Sequence, residues 1–125
     1  MPAAARKPIP SESEVNKEIL QISQARKDIR LWRNNRGMAK IHGHRVRYGV
    51  GPNGAADWLG YRVVFITEEM VGTRIAQFLA VEAKRQGEAP EEEQQRFIDS
   101  VNADGGCAGV ATCGEQAMQV MDLIP

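Results

Sequence analysis

The stretch "FLAVEAKRQG", residues 78–87, constrains this chain more than any other. Side chains on a strand alternate between two faces, so residues two apart share one. Leu79, Val81 and Ala83 are apolar, and Ile75 falls on the same parity. Phe78, Ala80, Glu82 and Lys84 occupy the other. One face is therefore core throughout, and the other turns from apolar to ionic at its C-terminal end. Charge at the end of a buried strand is costly unless it is paired or holds an ion. Two readings meet that condition. Glu82 and Lys84 form a simple ion pair, or they belong to a site for a metal ion and a water.

The elements around this strand set the fold class. A length of 125 residues suggests one domain, 11–125, behind a proline-rich lead, 1–10, expected to be disordered. Ser11 or Ser13 can cap a helix carrying Val15, Ile19 and Ile22 at helical spacing through about Gln24. "IRLWR" reads as a strand, "NNRGMAKIHGH" as a loop, and "HRVRYGV" as a strand by its alternation. "WLGYRVVFI" and "RIAQFLAVEAK", joined by "TEEMVGT", read as an antiparallel hairpin. "APEEEQQRFIDSVNADGG" opens on proline and acids and closes on Gly105 and Gly106, which are helix start and stop signals. "CAGVATC" predicts a short buried strand, and "GEQAMQVMDLI" a closing helix with Met118, Met121 and Leu123 as apolar positions. The order predicts an α/β protein, a mixed central sheet flanked by helices.

No apolar run reaches the length of a membrane span. The opening "MPAAARKPIP" lacks an apolar signal core, so a cytoplasmic protein, of a prokaryote or a virus-infected cell, is expected. Cys107 and Cys113 do not have metal-finger spacing and are expected to be reduced core thiols.

A net charge of zero hides a division. Residues 1–50 hold 11 Lys and Arg against 4 Asp and Glu, and residues 51–125 hold 5 against 12. The basic half is densest over residues 26–47, where eight Lys and Arg accompany one Asp. Trp32, Asn34, Asn35, His42 and His44 are interleaved there. Such a stretch suits a phosphate backbone, and it equally suits a solvated hairpin. The candidates for phosphate contact are Arg33, Asn34, Asn35, Arg36, Arg45 and Arg47.

Asp57 bears on the choice between the two readings of Glu82 and Lys84. It follows the glycine-rich turn "GPNGAA" and precedes the strand starting at Trp58. Two carboxylates and a backbone carbonyl make the hard oxygen cradle that magnesium prefers. A lysine beside it can orient a water and offset charge building on a phosphate. Gln94 lies on the apolar side of its helix, three residues before Phe97 and seven before Val101, where a buried amide needs partners. Helix backbone or a site can supply them. Glu12 stands nearest the apolar stripe of the first helix. It can serve a site or complement the helix dipole.

The series of Asp57 after a glycine-rich turn, "ExK" at 82–84, "QxxF" at 94–97 and "GG" at 105–106 resembles the VRR-NUC (virus-type replication-repair nuclease) family. That family is a branch of the PD-(D/E)xK, or restriction-endonuclease-like, nucleases. The matching pieces are "SESEVNKEIL", "RLWRNNRG", "RVRYGVGPNGAADWLG", "FLAVEAKRQG", "EEEQQRFIDSV" and "GGCAGVA". Ala56 departs from the proline usual before the aspartate, and "APEEE" is more acidic than usual. The resemblance implies a nuclease using Mg2+ or Mn2+. Asp57, Glu82 and the Ala83 carbonyl would bind the metal, Lys84 would be catalytic, Gln94 the helix glutamine and Glu12 the first-helix acid. Stand-alone members of this size are similar to homodimeric enzymes that resolve four-way (Holliday) DNA junctions. Longer relatives cut flaps and other branched DNA. A catalytically silent nucleic-acid-binding module of the same fold is an alternative, and so is a small interaction protein whose acidic helix 90–99 docks a basic partner.

Overall fold

Ser11 starts the first helix by accepting the Glu14 backbone N–H on its hydroxyl at 3.2 Å, with Glu12 and Glu14 in the dipole-favoured first turn. The computed structural model describes residues 8–122. The lead expected over 1–10 is thus described only at Pro8–Pro10, which are exposed and irregular, and Leu123 lies outside the described residues. The chain forms two compact units, Met1–Arg62 and Val63–Pro125.

The first unit contains α1 (Glu12–Ala25), β1 (Ile29–Arg33), β2 (Gly37–Ile41), β3 (His44–Tyr48) and β4 (Trp58–Arg62). β1 pairs antiparallel with β4, and β2 antiparallel with β3. α1 lies against β1. At Gly60 a side chain would collide with the Arg30 carbonyl across the β1–β4 ladder, so glycine permits that approach. β2 falls where the sequence predicts a loop. The hairpin closes through His42 and Gly43, both at positive φ (50° and 78°), as a two-residue type I′ turn requires. Histidine is among the few non-glycine residues enriched there.

The second unit contains a short 3-10 turn (Glu68–Met70), β5 (Leu79–Ala83), α2 (Glu92–Ala103), β6 (Cys107–Ala111) and α3 (Gly114–Met121). β5 and β6 pair in parallel, with α2 as the crossover, and both α2 and α3 pack on the pair. Val101, Cys107, Ala108, Ile98, Ala111 and Val120 form its buried core. A Cβ at Gly109 would meet the Val120 side chain at 2.8 Å, so glycine lets α3 approach β6 closely. Asn102 brackets Ala108, donating to its carbonyl at 2.9 Å and accepting its N–H at 2.8 Å, and so ties the end of α2 to β6.

The α/β class is as expected, with three helices among the described residues, but the strands form three two-stranded sheets and not the mixed central sheet predicted, because each strand pairs within its own unit. The predicted hairpin of Trp58–Ile66 with Arg74–Lys84 is not formed. β4 ends at Arg62 and takes β1 as its partner; β5 begins at Leu79 and takes β6. The physical reason is that each strand is fixed by neighbours in its own unit. The Trp58 indole N–H donates to Asn16 of α1 at 2.9 Å, and β5 completes the ladder that contains the buried Cys107 and Ala108. Cys107 is a buried free thiol, as expected, whereas Cys113 is exposed at the start of α3. No helix among the described residues is long and apolar enough to cross a membrane.

Candidate active site

The C-terminal end of β5 carries the charged side chains of the candidate site. Glu82 and Lys84 share a face by strand alternation, and the Lys84 ammonium stands 4.0 Å from Glu82 Oε1. Their side chains are 34% and 16% exposed, so neither is a freely solvated surface charge. Gln94 reaches the same carboxylate from α2, its amide nitrogen donating to Glu82 Oε1 at 2.9 Å. The other half of that amide accepts the Glu91 backbone N–H at 2.8 Å, closing the capping box at the start of α2. Gln94 thus bonds the helix backbone, as one reading has it, and Glu82 as well. Helix capping fixes the amide, and the fixed amide orients the carboxylate. Glu82 Oε2 lies outside these two contacts.

Ala83 contributes its backbone. The Lys84 N–H donates to the Ala111 carbonyl at 3.0 Å, and the Cys107 N–H to the Phe78 carbonyl at 2.9 Å. In a parallel ladder alternate residues turn both backbone groups toward the partner strand. Residues 78, 80, 82 and 84 turn theirs to β6, so Ala83 directs its carbonyl to the opposite edge of β5. A carboxylate oxygen outside the Gln94 and Lys84 contacts and an edge-facing carbonyl are the oxygen donors that a hard divalent cation takes. Beside them lies a cavity of about 360 Å³ with Ala80, Val81, Phe97 and Ile98 as its apolar walls and Glu82, Glu93 and Gln94 as its polar ones. Glu93 was not singled out by the sequence; its signal is the acidic run "APEEE" ahead of Gln94. Among the described residues no group of three or more His, Cys, Asp and Glu side chains converges as a metal cluster.

Asp57 and Glu12 belong to the first unit. Glu12 is exposed in the first turn of α1, where it complements the helix dipole. Asp57 is exposed at the end of the glycine-rich turn, immediately before β4. Asn34 fastens that turn. Its amide nitrogen donates to the Val50 and Ala56 carbonyls at 2.9 and 3.0 Å, its amide oxygen accepts the Val50 N–H at 2.8 Å, and its backbone N–H donates to the Asp57 carbonyl at 2.7 Å. Asn34 is 6% exposed, so its amide is committed inside the protein and sets the position of Asp57. This corrects its expected place among the phosphate contacts, because a side chain with every polar group so used has none to offer a ligand.

The remaining basic candidates divide by environment. Arg33 donates to Asn16 at 2.7 Å and to Asn35 at 3.2 Å, and its guanidinium lies over the Trp58 ring at 5.6 Å. Arg33 and Asn35 thus help to hold β1 and β4 to α1. Arg36 reaches into the glycine-rich turn, donating to the Ala55 carbonyl at 3.3 Å and the Gly51 carbonyl at 3.4 Å. Arg45 and Arg47 are exposed on β3, and among the described residues neither takes part in a hydrogen bond or ion pair. Comparison with protein-family models, curated proteins and solved structures finds no match to this chain.

Proposed function

We propose that this protein is a metal-dependent, structure-specific DNA endonuclease with a PD-(D/E)xK core, which resolves four-way junctions as a homodimer. The observation that carries the reading is one carboxylate, Glu82, held by Gln94 at 2.9 Å with the Lys84 ammonium 4.0 Å away. The Gln94 amide, itself held by the helix cap, fixes the direction of that carboxylate, as a metal ligand requires.

In this reading Glu82 and the Ala83 carbonyl hold Mg2+ or Mn2+, and Asp57 joins them on the strength of the sequence resemblance. When bound, the ion supplies Lewis-acid polarisation of the scissile phosphodiester. Lys84 offsets the negative charge that builds on the phosphate as the P–O bond breaks, and orients the attacking water. Gln94 positions the carboxylate. Glu12 is the first-helix acid of the same reading. Exposed apolar side chains, Phe65 and Val71 among them, offer surface that a homodimer would cover.

The test is cleavage of labelled four-way junction, flap and plain duplex, with and without magnesium or manganese. Metal-dependent cutting of branched DNA in preference to duplex is expected. Binding without cutting under any metal leaves only the nucleic-acid-binding module. Calorimetry on Asp57→Asn should find divalent-ion binding lost or much weakened, and unchanged binding removes Asp57 from the site. For paired cutting, wild type mixed with excess Lys84→Ala should convert a cruciform plasmid to nicked circle, whereas wild type alone gives linear product. Nicked circle from wild type alone defeats the resolvase reading and leaves the nuclease reading standing.

A further inference from the structure

The β2–β3 register sorts the hairpin into two unlike faces. Residues directly opposite in an antiparallel pair share a face. Met38 opposes Arg47 and Lys40 opposes Arg45, so one face carries three cations; Ala39 and Val46, Ile41 and His44, and Gly37 and Tyr48 make up the other. Lys40 and Arg45 stand directly across from each other, which destabilises a ladder unless an anion offsets the repulsion. No ion pair among the described residues involves Arg36, Lys40, Arg45 or Arg47.

At the open end of this cationic face lies a cavity of about 240 Å³. Arg36, Met38, Arg47 and Tyr48 line it from the β2–β3 side, and Asn53 and Gly54 from the glycine-rich turn. No carboxylate is among its lining residues. The Arg36 Nε is buried with no hydrogen-bond partner, and the other guanidinium nitrogens make only the two long bonds to carbonyls. The Asn53 amide makes no hydrogen bond among the described residues. Gly54, at φ 87°, leaves open space where a side chain would stand. Arg36, Arg47 and Asn53 thus line a space smaller than the roughly 300–1,000 Å³ of cofactor sites. That is the chemistry of a site for one tetrahedral oxyanion.

We propose that the cavity between Arg36 and Arg47 binds one phosphate of a nucleic-acid backbone, and that Lys40 and Arg45 hold the next phosphate along the same face. A lone phosphate would leave the Lys40–Arg45 pair unmatched, whereas a polymer of phosphodiesters matches both. Lys40, Met38, Tyr48 and Asn53 thereby join the basic residues singled out from sequence. The proposal rests on the reading of the protein as one that acts on DNA, but not on its cutting it.

The experiment uses the full chain without divalent metal, so that no hydrolysis intervenes. Binding of a labelled duplex is followed across a salt series for wild type, Arg47→Gln, Lys40→Gln with Arg45→Gln, and Arg96→Gln as a control on α2. Arg36→Gln is added with a thermal-melting check, because Arg36 packs into the turn. Arg47→Gln should weaken binding about fivefold and lower the salt slope by about one, and the double variant should lower it by about two. Arg96→Gln should match wild type. Inorganic phosphate is titrated separately, with the Arg36 Nε–H resonance as the probe. Slopes equal to wild type in Arg47→Gln and the double variant overturn the proposal. A resonance that moves with inorganic phosphate and not with duplex overturns the nucleic-acid source as well. The expected slopes in a protein that cuts nothing with magnesium or manganese support the phosphate site and defeat the nuclease reading alone.

Discussion

The ladders β5–β6 and β2–β3 are each built from two five-residue strands, and they solve opposite problems. In β6 the side chains of Cys107, Ala108 and Ala111 are buried, and α2 and α3 cover the pair. In β3 every residue is exposed. An isolated two-stranded hairpin is marginal in water, and three cations on one face of β2–β3 weaken it further. The covered ladder can hold Glu82, Lys84 and Gln94 to a fixed geometry, which is what a reacting phosphate requires. On the proposed reading, chemistry falls on the covered ladder and DNA grip on the uncovered one, and substitutions in the two should fail in different ways.

On the nuclease reading proposed above, the largest expected effect is at Lys84. Lys84→Ala should lower single-turnover cleavage about 10²–10³-fold, the usual loss when one group that stabilises transition-state charge is removed. Affinity for the junction should change by no more than about twofold, since one charge among many phosphate contacts matters little. Loss confined to turnover places Lys84 with the transition state. A normal cleavage rate would break the division between the two ladders at its first point.

Next is the same side chain removed from each region, beginning with the core. Val101 is 1% exposed in the centre of the second unit. Val101→Ala removes two buried methyl groups where α2 and β6 are held by the Asn102 bracket, so the surroundings cannot collapse around the cavity. Chemical denaturation should report a loss of about 2–3 kcal/mol. A loss below about 1 kcal/mol would mean that this core is less close-packed than its burial implies.

A third, smaller effect separates the two jobs of Gln94. Gln94→Ala removes the acceptor for the Glu91 N–H and the donor to Glu82, so it should cost about 1 kcal/mol and also lower cleavage. Gln94→Glu keeps a capping-box acceptor and places a second carboxylate against Glu82. It should restore part of the helix contribution and none of the activity. Equal activity in Gln94→Glu and wild type would show that capping is the residue's whole role.

What the sequence made legible follows the same division. β1 falls on "IRLWR", α1 spans the predicted helix, and β6 matches "CAGVA", because each combines periodicity with an end signal in a covered setting. Strand parity put Glu82 and Lys84 on one face, but the face read as core, with Leu79, Val81 and Ala83, is the exposed one, because α2 and α3 pack on the other side of β5 or on β6 and leave it uncovered among the described residues. β2 was missed because "GMAKI" is weak by strand propensity and its turn is His-Gly instead of Asn-Gly. The β4–β5 hairpin was over-read because pairing partners are chosen by long-range burial, which no local window contains. Asn34 looked like a ligand contact because a short amide in a basic run has the same spelling whether it faces solvent or pins a loop.

The smallest effect is the hairpin counterpart of the core test. Val46 is 40% exposed on β3 and faces Ala39 across the ladder, on the apolar face. Val46→Ala removes the same two methyl groups as Val101→Ala, but here no close-packed shell exists to leave a void. What is lost is one cross-strand contact and some strand propensity, about 0.5 kcal/mol. Denaturation of the two variants side by side should give at least a fourfold ratio in stability lost. Duplex affinity of Val46→Ala should stay at the wild-type value, since the cations lie on the opposite face. A Val46→Ala loss as large as that of Val101→Ala would mean that the apolar face of the hairpin is covered in solution, and a dimer contact there would be the first thing to test, by the concentration dependence of the melting temperature.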